Sequence, residues 1–104
     1  MLNIFEKPEV KLLLEAILLN KCQADLSRFL RDVLTEEEII EVSQRLKVAM
    51  MLSQDQSYKQ IAMETRLSPT TIARISKWLK NGTGGYSNTI SKLSSHHHSP
   101  VEGT

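Results

Sequence analysis

The side chains best suited to binding another molecule lie between residues 58 and 80, and their types are those that bind nucleic acids. Arginine donates paired hydrogen bonds to guanine or to a phosphate, lysine neutralises phosphates, and threonine offers a hydroxyl and a methyl group to base edges. The residues of these types, with the proline that follows Ser68, are Lys59, Arg66, Pro69, Thr70, Thr71, Arg74, Lys77 and Lys80. This pattern predicts a DNA-binding segment.

The apolar residues of the same segment follow the spacing of a helix-turn-helix unit, predicted here over about residues 58–80. If Tyr58 is the first of twenty positions, the fourth, fifth, tenth, fifteenth and eighteenth must be apolar or small, because the two helices cross there. These positions hold Ile61, Ala62, Leu67, Ile72 and Ile75. The ninth position, where a left-handed backbone favours glycine, holds Arg66, which costs roughly 1 kcal/mol. The alternative interpretation is a helical hairpin that is only a scaffold.

The second helix of such a unit enters the major groove with its N-terminal residues toward the bases. We therefore expect Pro69, Thr70, Thr71 and Arg74 to be exposed and to face the bases. The other cations of the segment are expected to contact phosphates, which raises affinity without selecting a sequence. The threonines have an alternative role as caps of the helix start. Trp78 has two alternatives: stacking on a ligand or base, and packing in the core or in a dimer interface.

Charge is segregated along the chain, although the net charge is only +1. Residues 1–44 hold five Lys or Arg and nine Asp or Glu, which gives −4. Residues 45–80 hold seven Lys or Arg and two Asp or Glu, which gives +5. Residues 81–104 hold one cationic and one acidic residue, which gives 0. A positive segment in a near-neutral protein suggests a basic face that meets phosphate. The alternative is a chance distribution of charge over a solvated surface.

The elements that must position these side chains are predicted to be helices. With 104 residues, 40% of them hydrophobic, the chain can bury one small core. It lacks the alternating β-branched segments of a β-sandwich or barrel. Helical periodicity indicates an all-α domain of about six helices over residues 1–94, and residues 95–104 are predicted to be a disordered tail. The first helix, Pro8–Leu19, carries apolar residues on more than one face, which implies a partner subunit.

Catalytic and metal sites are not predicted. Thr35 and Glu38 match a capping box before a long helix, and this explains the three glutamates from Glu36 better than a metal cluster does. The sequence offers no Ser/His/Asp or Cys/His set and no glycine-rich phosphate loop before a helix, so no enzyme activity is expected. The histidines, His96 to His98, stand together in the predicted tail. Weak binding of a divalent metal is the alternative to a simple solvated tail.

Membrane insertion and export are not expected. No apolar run approaches the roughly 18 residues of a membrane span, and the first residues lack the pattern of a secretory signal. The single cysteine, Cys22, cannot close an internal disulfide and is expected to be a small, half-buried helix residue. We therefore expect a cytoplasmic protein without a resident metal or cofactor.

Five stretches of the sequence carry a family resemblance. They are Phe29-Leu30-Arg31-Asp32-Val33-Leu34-Thr35-Glu36-Glu37-Glu38-Ile39, Gln44-Arg45-Leu46-Lys47-Val48-Ala49, Ser57-Tyr58-Lys59-Gln60-Ile61-Ala62, Thr71-Ile72-Ala73-Arg74-Ile75 and Gly84-Gly85-Tyr86. Over about residues 25–93 they resemble the Trp repressor superfamily, and within it the uncharacterised YerC/YecD-type branch. The resemblance implies a six-helix fold, an intertwined homodimer with interlocked N-terminal helices, and helix-turn-helix units on successive major grooves of a palindromic operator.

The resemblance also implies where a small ligand would bind. In the tryptophan-sensing member, two arginines hold the corepressor, and Arg45 and Arg74 occupy the matching places here. A glycine follows the second arginine in that member and leaves room for the indole, whereas this chain has Ile75. Burial of a branched side chain there contributes roughly 1.5–3 kcal/mol as ordinary core. Our hypothesis is that Ile75 takes the place of the corepressor, so that L-tryptophan is not required.

These patterns together favour a dimeric, sequence-specific DNA-binding regulator, expected to be a tryptophan-independent repressor with double-stranded DNA as its partner. One alternative is a repressor that depends on tryptophan or another small ligand, bound by Arg45 and Arg74. The other is a helical protein-interaction module whose basic face binds an acidic protein. Binding to duplex DNA at moderate salt separates this module from the two repressors.

Overall fold

In the computed structural model, residues 3–97 are described, and they form six α-helices. A short 3-10 helix, Ile4–Glu6, precedes them. No strand occurs within residues 3–97, and the all-α prediction is confirmed. The helices are α1 (Pro8–Leu19), α2 (Gln23–Val33), α3 (Glu36–Ser53), α4 (Tyr58–Thr65), α5 (Pro69–Asn81) and α6 (Gly85–His97).

Polar residues just before the helices explain where three of them begin. The Thr35 hydroxyl accepts a hydrogen bond from the Glu38 amide at 3.1 Å, and the Glu38 carboxylate accepts one from the Thr35 amide at 2.9 Å. This is the capping box that the sequence predicts. Ser57 and Ser68 cap α4 and α5, each hydroxyl accepting from the backbone amide three residues later at 3.1 Å. These caps satisfy amides that have no partner inside the helix.

The chain divides after Ile40 into two compact units, and no described residue of the first unit is buried. Its helix α1 buries none of its side chains. Leu12, Leu18 and Leu19 are 66%, 68% and 77% exposed. Exposed apolar surface on this scale marks a surface that another molecule covers. A partner subunit for α1 therefore stays a prediction, and the exposure of α1 is its structural basis.

The second unit contains the buried core. Its buried apolar side chains come from α3, α4, α5 and α6, and they form one cluster. Burial of each large member contributes about 1.5–3 kcal/mol, so this cluster holds α4 and α5 against α3. The members are Val48, Ala49, Met51, Ile61, Ile72, Ile75 and Ile90.

Two local predictions differ from the structure. Helix α6 continues to His97, so the first three residues of the predicted tail, which begins at residue 95, are helical. Serine and histidine are weak helix formers, but a helix that already exists gains one hydrogen bond with each added residue. Residues 98–104, including His98, lie outside the described residues. Cys22 is exposed rather than half-buried, and its Sγ caps α2 by accepting from the Asp25 amide at 3.5 Å.

Candidate nucleic-acid interface

The helix-turn-helix unit consists of α4, the turn at residues 66–68, and α5. Its crossing positions are packed as the spacing predicts, because Ile61 and Ile72 are fully buried and Ile75 is 1% exposed. Ala62 and Leu67 are half-buried and pack against the same core. The five apolar positions predicted from the sequence are therefore confirmed. They fix α5 relative to α4, as a reading helix requires.

The turn between the two helices has the backbone shape predicted for its ninth position. Arg66 has φ 63° and ψ 16°, which is the left-handed region. Its amide donates to the Ala62 carbonyl at 2.8 Å. The buried Thr65 hydroxyl donates to the Ile61 carbonyl at 2.7 Å and accepts from the Leu67 amide at 3.3 Å. These bonds offset the roughly 1 kcal/mol that a residue with a side chain costs in this conformation.

The start of α5 places Thr71 differently from the prediction. Pro69, Thr70 and Arg74 are exposed, as expected for residues that face bases, but Thr71 is half-buried. Its hydroxyl lies 3.0 Å from the Ser68 hydroxyl, and its amide donates to the same Ser68 oxygen at 3.1 Å. The prediction that Thr71 is exposed is wrong, because the cap of α5 holds this residue. Thr71 is the third residue of α5, so it bonds to the cap, Ser68, and is not itself the cap.

The outward strip of α5 contains Thr70, Ala73 and Lys77, all of them exposed. Residues at i, i+3 and i+7 share one face of a helix, and this face is opposite to the buried Ile72 and Ile75. The prediction from the sequence considered side chains that bind bases or phosphates through polar groups, and it missed Ala73 because a methyl group makes no hydrogen bond. Its spacing from Thr70 and Lys77 is the signal in the sequence that identifies it. The small Ala73 side chain offers the apolar contact that the methyl group of thymine accepts.

The cations predicted to contact phosphates are exposed and unpaired. Lys59, Arg66, Lys77 and Lys80 are all exposed. None of them forms an ion pair with a carboxylate in the part of the chain that the structure describes. Lys47 of the same unit does pair, 3.6 Å from a glutamate of α4. Unpaired cations create a positive potential that a bound phosphate backbone neutralises.

Arg45 of α3 and Arg74 of α5 line one pocket of about 260 Å³, which we call the arginine pocket. Two of the three residues predicted for a ligand pocket are thus brought together, but the third, Ile75, is in the core. Consecutive residues of a helix point about 100° apart, so Ile75 faces the core while Arg74 faces the pocket. The remaining lining residues are Glu41, Gln44, Leu67, Thr71 and Trp78.

A second and larger cavity, of about 550 Å³, is mainly apolar, and we call it the apolar groove. Gly82 lines it at the end of α5, where a Cβ atom would stand 2.4 Å from the Trp78 carbonyl oxygen. Trp78 lines both cavities and is 46% exposed, so its core alternative is wrong for the single chain. The groove is lined by Val42, Leu46, Trp78, Gly82, Thr83, Gly85, Tyr86 and Thr89.

Neither a metal-binding cluster nor a membrane span occurs among the residues that the structure describes. Among the described side chains, those of residues 3–95, no three His, Cys, Asp or Glu are grouped so that they could hold a metal ion. None of the described helices combines the length and the apolar character needed to cross a membrane. Glu36, in the glutamate run at the start of α3, instead forms an ion pair with Arg31 at 3.5 Å.

Comparison with known proteins agrees with this fold. Residues 8–94 match the family described as Trp repressor protein. Over 85 residues the chain is 34% identical to the uncharacterised protein YerC of Bacillus subtilis (strain 168), and the match covers 82% of each chain. The solved structure of a TrpR-like protein from Eubacterium eligens ATCC 27750 has a TM-score of 0.82 and 36% identity, covering 86% of this chain and 92% of that one. Since the family match and both similarities extend over most of the chain, the protein belongs to the Trp repressor family.

Proposed function

We propose that the protein is a sequence-specific DNA-binding transcriptional regulator that acts as a repressor. The observation that carries this proposal is the outward strip of α5, formed by Thr70, Ala73 and Lys77. A helix with small, hydroxyl-bearing and cationic side chains on its exposed face suits base edges and phosphates together. Its N-terminus is capped by Ser68, and its opposite face is held by the core, so the strip is presented on a fixed element. Membership of the Trp repressor family supports the same function.

The exposed residues divide into two roles in this proposal. Pro69, Thr70, Ala73 and Arg74 lie near the bases and select the sequence. Thr71 acts indirectly, because its hydroxyl is held by the cap. Loss of a base contact should change which sequence is preferred, whereas loss of a phosphate contact should weaken binding to every sequence. The proposed phosphate contacts are Lys59, Arg66, Lys77 and Lys80.

The proposed repressor acts as a homodimer on a palindromic operator. Two apolar surfaces support this, namely the exposed leucines of α1 in the first unit and the apolar groove in the second. Both surfaces would face water in a lone chain, and a second copy of the chain can cover them symmetrically. A two-fold dimer presents two copies of α5, which fit half-sites about 34–36 Å apart, one turn of the duplex.

The proposed repressor binds DNA without L-tryptophan. Ile75 packs in the core, so α5 is held in place by the chain itself, and Trp78 supplies an indole at the arginine pocket. A ligand-dependent repressor is the second candidate, and it is favoured by the pocket of about 260 Å³ that remains. Within residues 3–97, neither Arg45 nor Arg74 has a carboxylate partner, so a small anion is the ligand class that this second candidate would use.

Selection of random duplex fragments by the purified protein tests the proposal. The selection is run at about 0.15 M salt, in parallel without and with L-tryptophan. A palindromic motif enriched in both arms is the expected result. Enrichment only with tryptophan would contradict tryptophan independence and support the ligand-dependent repressor. The absence of any motif in both arms would contradict sequence-specific binding and favour a module that binds an acidic protein.

A matched pair of variants identifies the surface that binds. Lys77→Ala removes a cation from the outward strip of α5, and Lys92→Ala removes an exposed cation from α6. Lys77→Ala is expected to weaken binding to all duplexes and to reduce the salt dependence by about one phosphate contact. Lys92→Ala is expected to leave both unchanged. Equal effects of the two variants would mean that general charge, and not α5, determines binding.

A further inference from the structure

Trp78 is shared by the two cavities described above. It lines both the arginine pocket and the apolar groove, and 46% of its surface is exposed. Arg74 precedes it by four residues along α5, and residues four apart are neighbours on one face of a helix. The indole and the Arg74 side chain therefore share one helix face and one pocket.

Arg74 has an acidic neighbour with which it does not pair. Glu41 lines the same pocket, yet within residues 3–97 no ion pair joins Glu41 to Arg74 or to Arg45. A guanidinium and a carboxylate in a partly enclosed pocket attract each other and form short, paired hydrogen bonds when they can reach one another. Arg74 already lines the pocket, and a pair with Glu41 would take its guanidinium away from the DNA contacts proposed above. Arg74 nevertheless stays exposed and, within residues 3–97, unpaired in the same pocket as this carboxylate.

We infer that Trp78 is the positioning residue for Arg74: its indole supports the arginine side chain on the exposed side of α5 and keeps it from Glu41. Arginine stacks on aromatic faces, and a tryptophan one helical turn away is placed for this contact. The inference rests on the proposed function, because the outward position of Arg74 matters when this residue contacts DNA. Trp78 then has a role in sequence specificity in addition to its packing in the apolar groove.

Removal of the indole is expected to release Arg74 toward Glu41. Trp78→Ala should weaken binding to the selected operator about tenfold, as the loss of one good base contact does, and change binding to a scrambled duplex by less than about twofold. Trp78→Phe keeps an aromatic face and should retain operator affinity within about threefold. Tyr86→Ala is the matched control, because Tyr86 lines the apolar groove but not the arginine pocket. Tyr86→Ala is expected to change binding to the operator and to the scrambled duplex by the same factor, because it acts on the proposed assembly of two copies and not on Arg74.

Two double variants separate positioning from general packing. If Glu41 competes for Arg74, Trp78→Ala in a Glu41→Gln background should bind the operator within about twofold of Glu41→Gln alone. If Trp78 acts through Arg74, Trp78→Ala should have no further effect in an Arg74→Ala background. A purely structural role predicts the full tenfold loss in both backgrounds, and that result would overturn the inference.

A measurement without DNA separates this inference from the proposed function. Trp78 is the single tryptophan of the chain, so its fluorescence reports the surroundings of the indole. Arg74→Ala is expected to shift the emission maximum, whereas Lys77→Ala, which removes the same charge from the outward strip, should not. Identical spectra for the wild type and Arg74→Ala would overturn the contact, even if Trp78→Ala fails to fold. A shift in a protein that selects no duplex would support the contact and overturn the proposed function alone.

Discussion

The two units of the chain use the same helical structure for different purposes. Up to Ile40, no described residue is buried, and the leucines of α1 are exposed. After Ile40, buried residues of four helices form a core, and that core presents α5. In this comparison the first unit exposes apolar surface, for which we propose a dimer interface, and the second has a buried core, for which we propose DNA binding. Stability of a single chain and contact with DNA should therefore depend on the second unit, and assembly on the first.

Charged residues show the same difference. In the first unit, Arg28 pairs with Asp25 and Arg31 pairs with Glu36. The cations of the helix-turn-helix unit, in contrast, have no carboxylate partner within the described residues. Exposed ion pairs contribute only about 0–1 kcal/mol, so the pairs of the first unit do little for stability. They do neutralise positive charge locally, and this leaves the unpaired cations in the second unit, where we propose that phosphates bind.

The largest expected effect tests where the stability of the fold lies. Ile61→Ala should lower the free energy of unfolding by about 2–5 kcal/mol, because Ile61 is fully buried where α4 and α5 cross. Leu12→Ala on α1 is the control, since Leu12 is 66% exposed. Its effect should depend on protein concentration, as expected for a residue that is buried only on assembly. Urea unfolding at two protein concentrations measures both; a large, concentration-independent loss from Leu12→Ala would contradict the comparison.

Assembly is tested next, on α1. Leu18 is 68% exposed, and Leu18→Glu places a charge where a second copy is proposed to pack. Loss of its burial costs about 1.5–3 kcal/mol per subunit, so the dimer should dissociate at concentrations where the wild type is assembled. Gln23→Glu adds the same charge to the exposed start of α2 and should leave the assembly intact. Sedimentation velocity measures the oligomeric state of both variants. A Leu18→Glu protein that sediments as the wild type does would refute assembly through α1.

Base and phosphate contacts within the second unit are separated by a third comparison. Arg74→Ala should cost about 1–3 kcal/mol on the selected operator and reduce the preference for it over other duplexes. Lys80→Ala should weaken binding to all duplexes and lower the slope of affinity against salt by about one contact. Fluorescence anisotropy at several salt concentrations distinguishes the two. Identical behaviour of the variants would mean that Arg74 contacts only phosphate.

Local sequence patterns predicted much of the fold and less of the site. The Thr35 and Glu38 capping box and the apolar spacing from Ile61 to Ile75 depend on residues a few positions apart, so the sequence alone determines them. The burial of Thr71 depends on a choice between facing DNA and bonding to the Ser68 hydroxyl at 3.0 Å. Such choices follow from side-chain positions within a packed structure, which periodicity does not specify.

The arginine pocket shows the same limit. Arg45 and Arg74 were identified through a family resemblance, and the structure brings them together. The resemblance did not indicate that Trp78 would line that pocket or that Ile75 would point away from it. These placements depend on the rotation of α5 about its axis, and that rotation is set by its buried residues after the whole unit has packed.

A smaller effect concerns the cap that holds Thr71. Ser68→Ala and Ser57→Ala each remove a helix cap and should each lower the free energy of unfolding by about 0.5–2 kcal/mol. Only Ser68→Ala also releases the Thr71 hydroxyl, so it alone should change the sequence preference. Thermal unfolding and a repeated duplex selection measure the two effects. An altered preference in Ser57→Ala as well would show that stability, and not the position of Thr71, causes the change.

The smallest expected effect concerns Arg66, in the turn between α4 and α5. A substitution there should change the stability of the fold and the affinity for DNA in opposite directions. Arg66 has φ 63°, so Arg66→Gly relieves strain but increases the freedom of the unfolded chain, and a net stabilisation of about 0.5 kcal/mol is expected. The same variant loses a proposed phosphate contact, so its affinity for DNA should fall and its salt slope should decrease by about one contact. Arg66→Ala removes the charge but keeps the strain, and it should lose the same affinity without the gain in stability. If Arg66→Ala bound DNA as the wild type does, the unpaired charge of the turn would have no part in the interface.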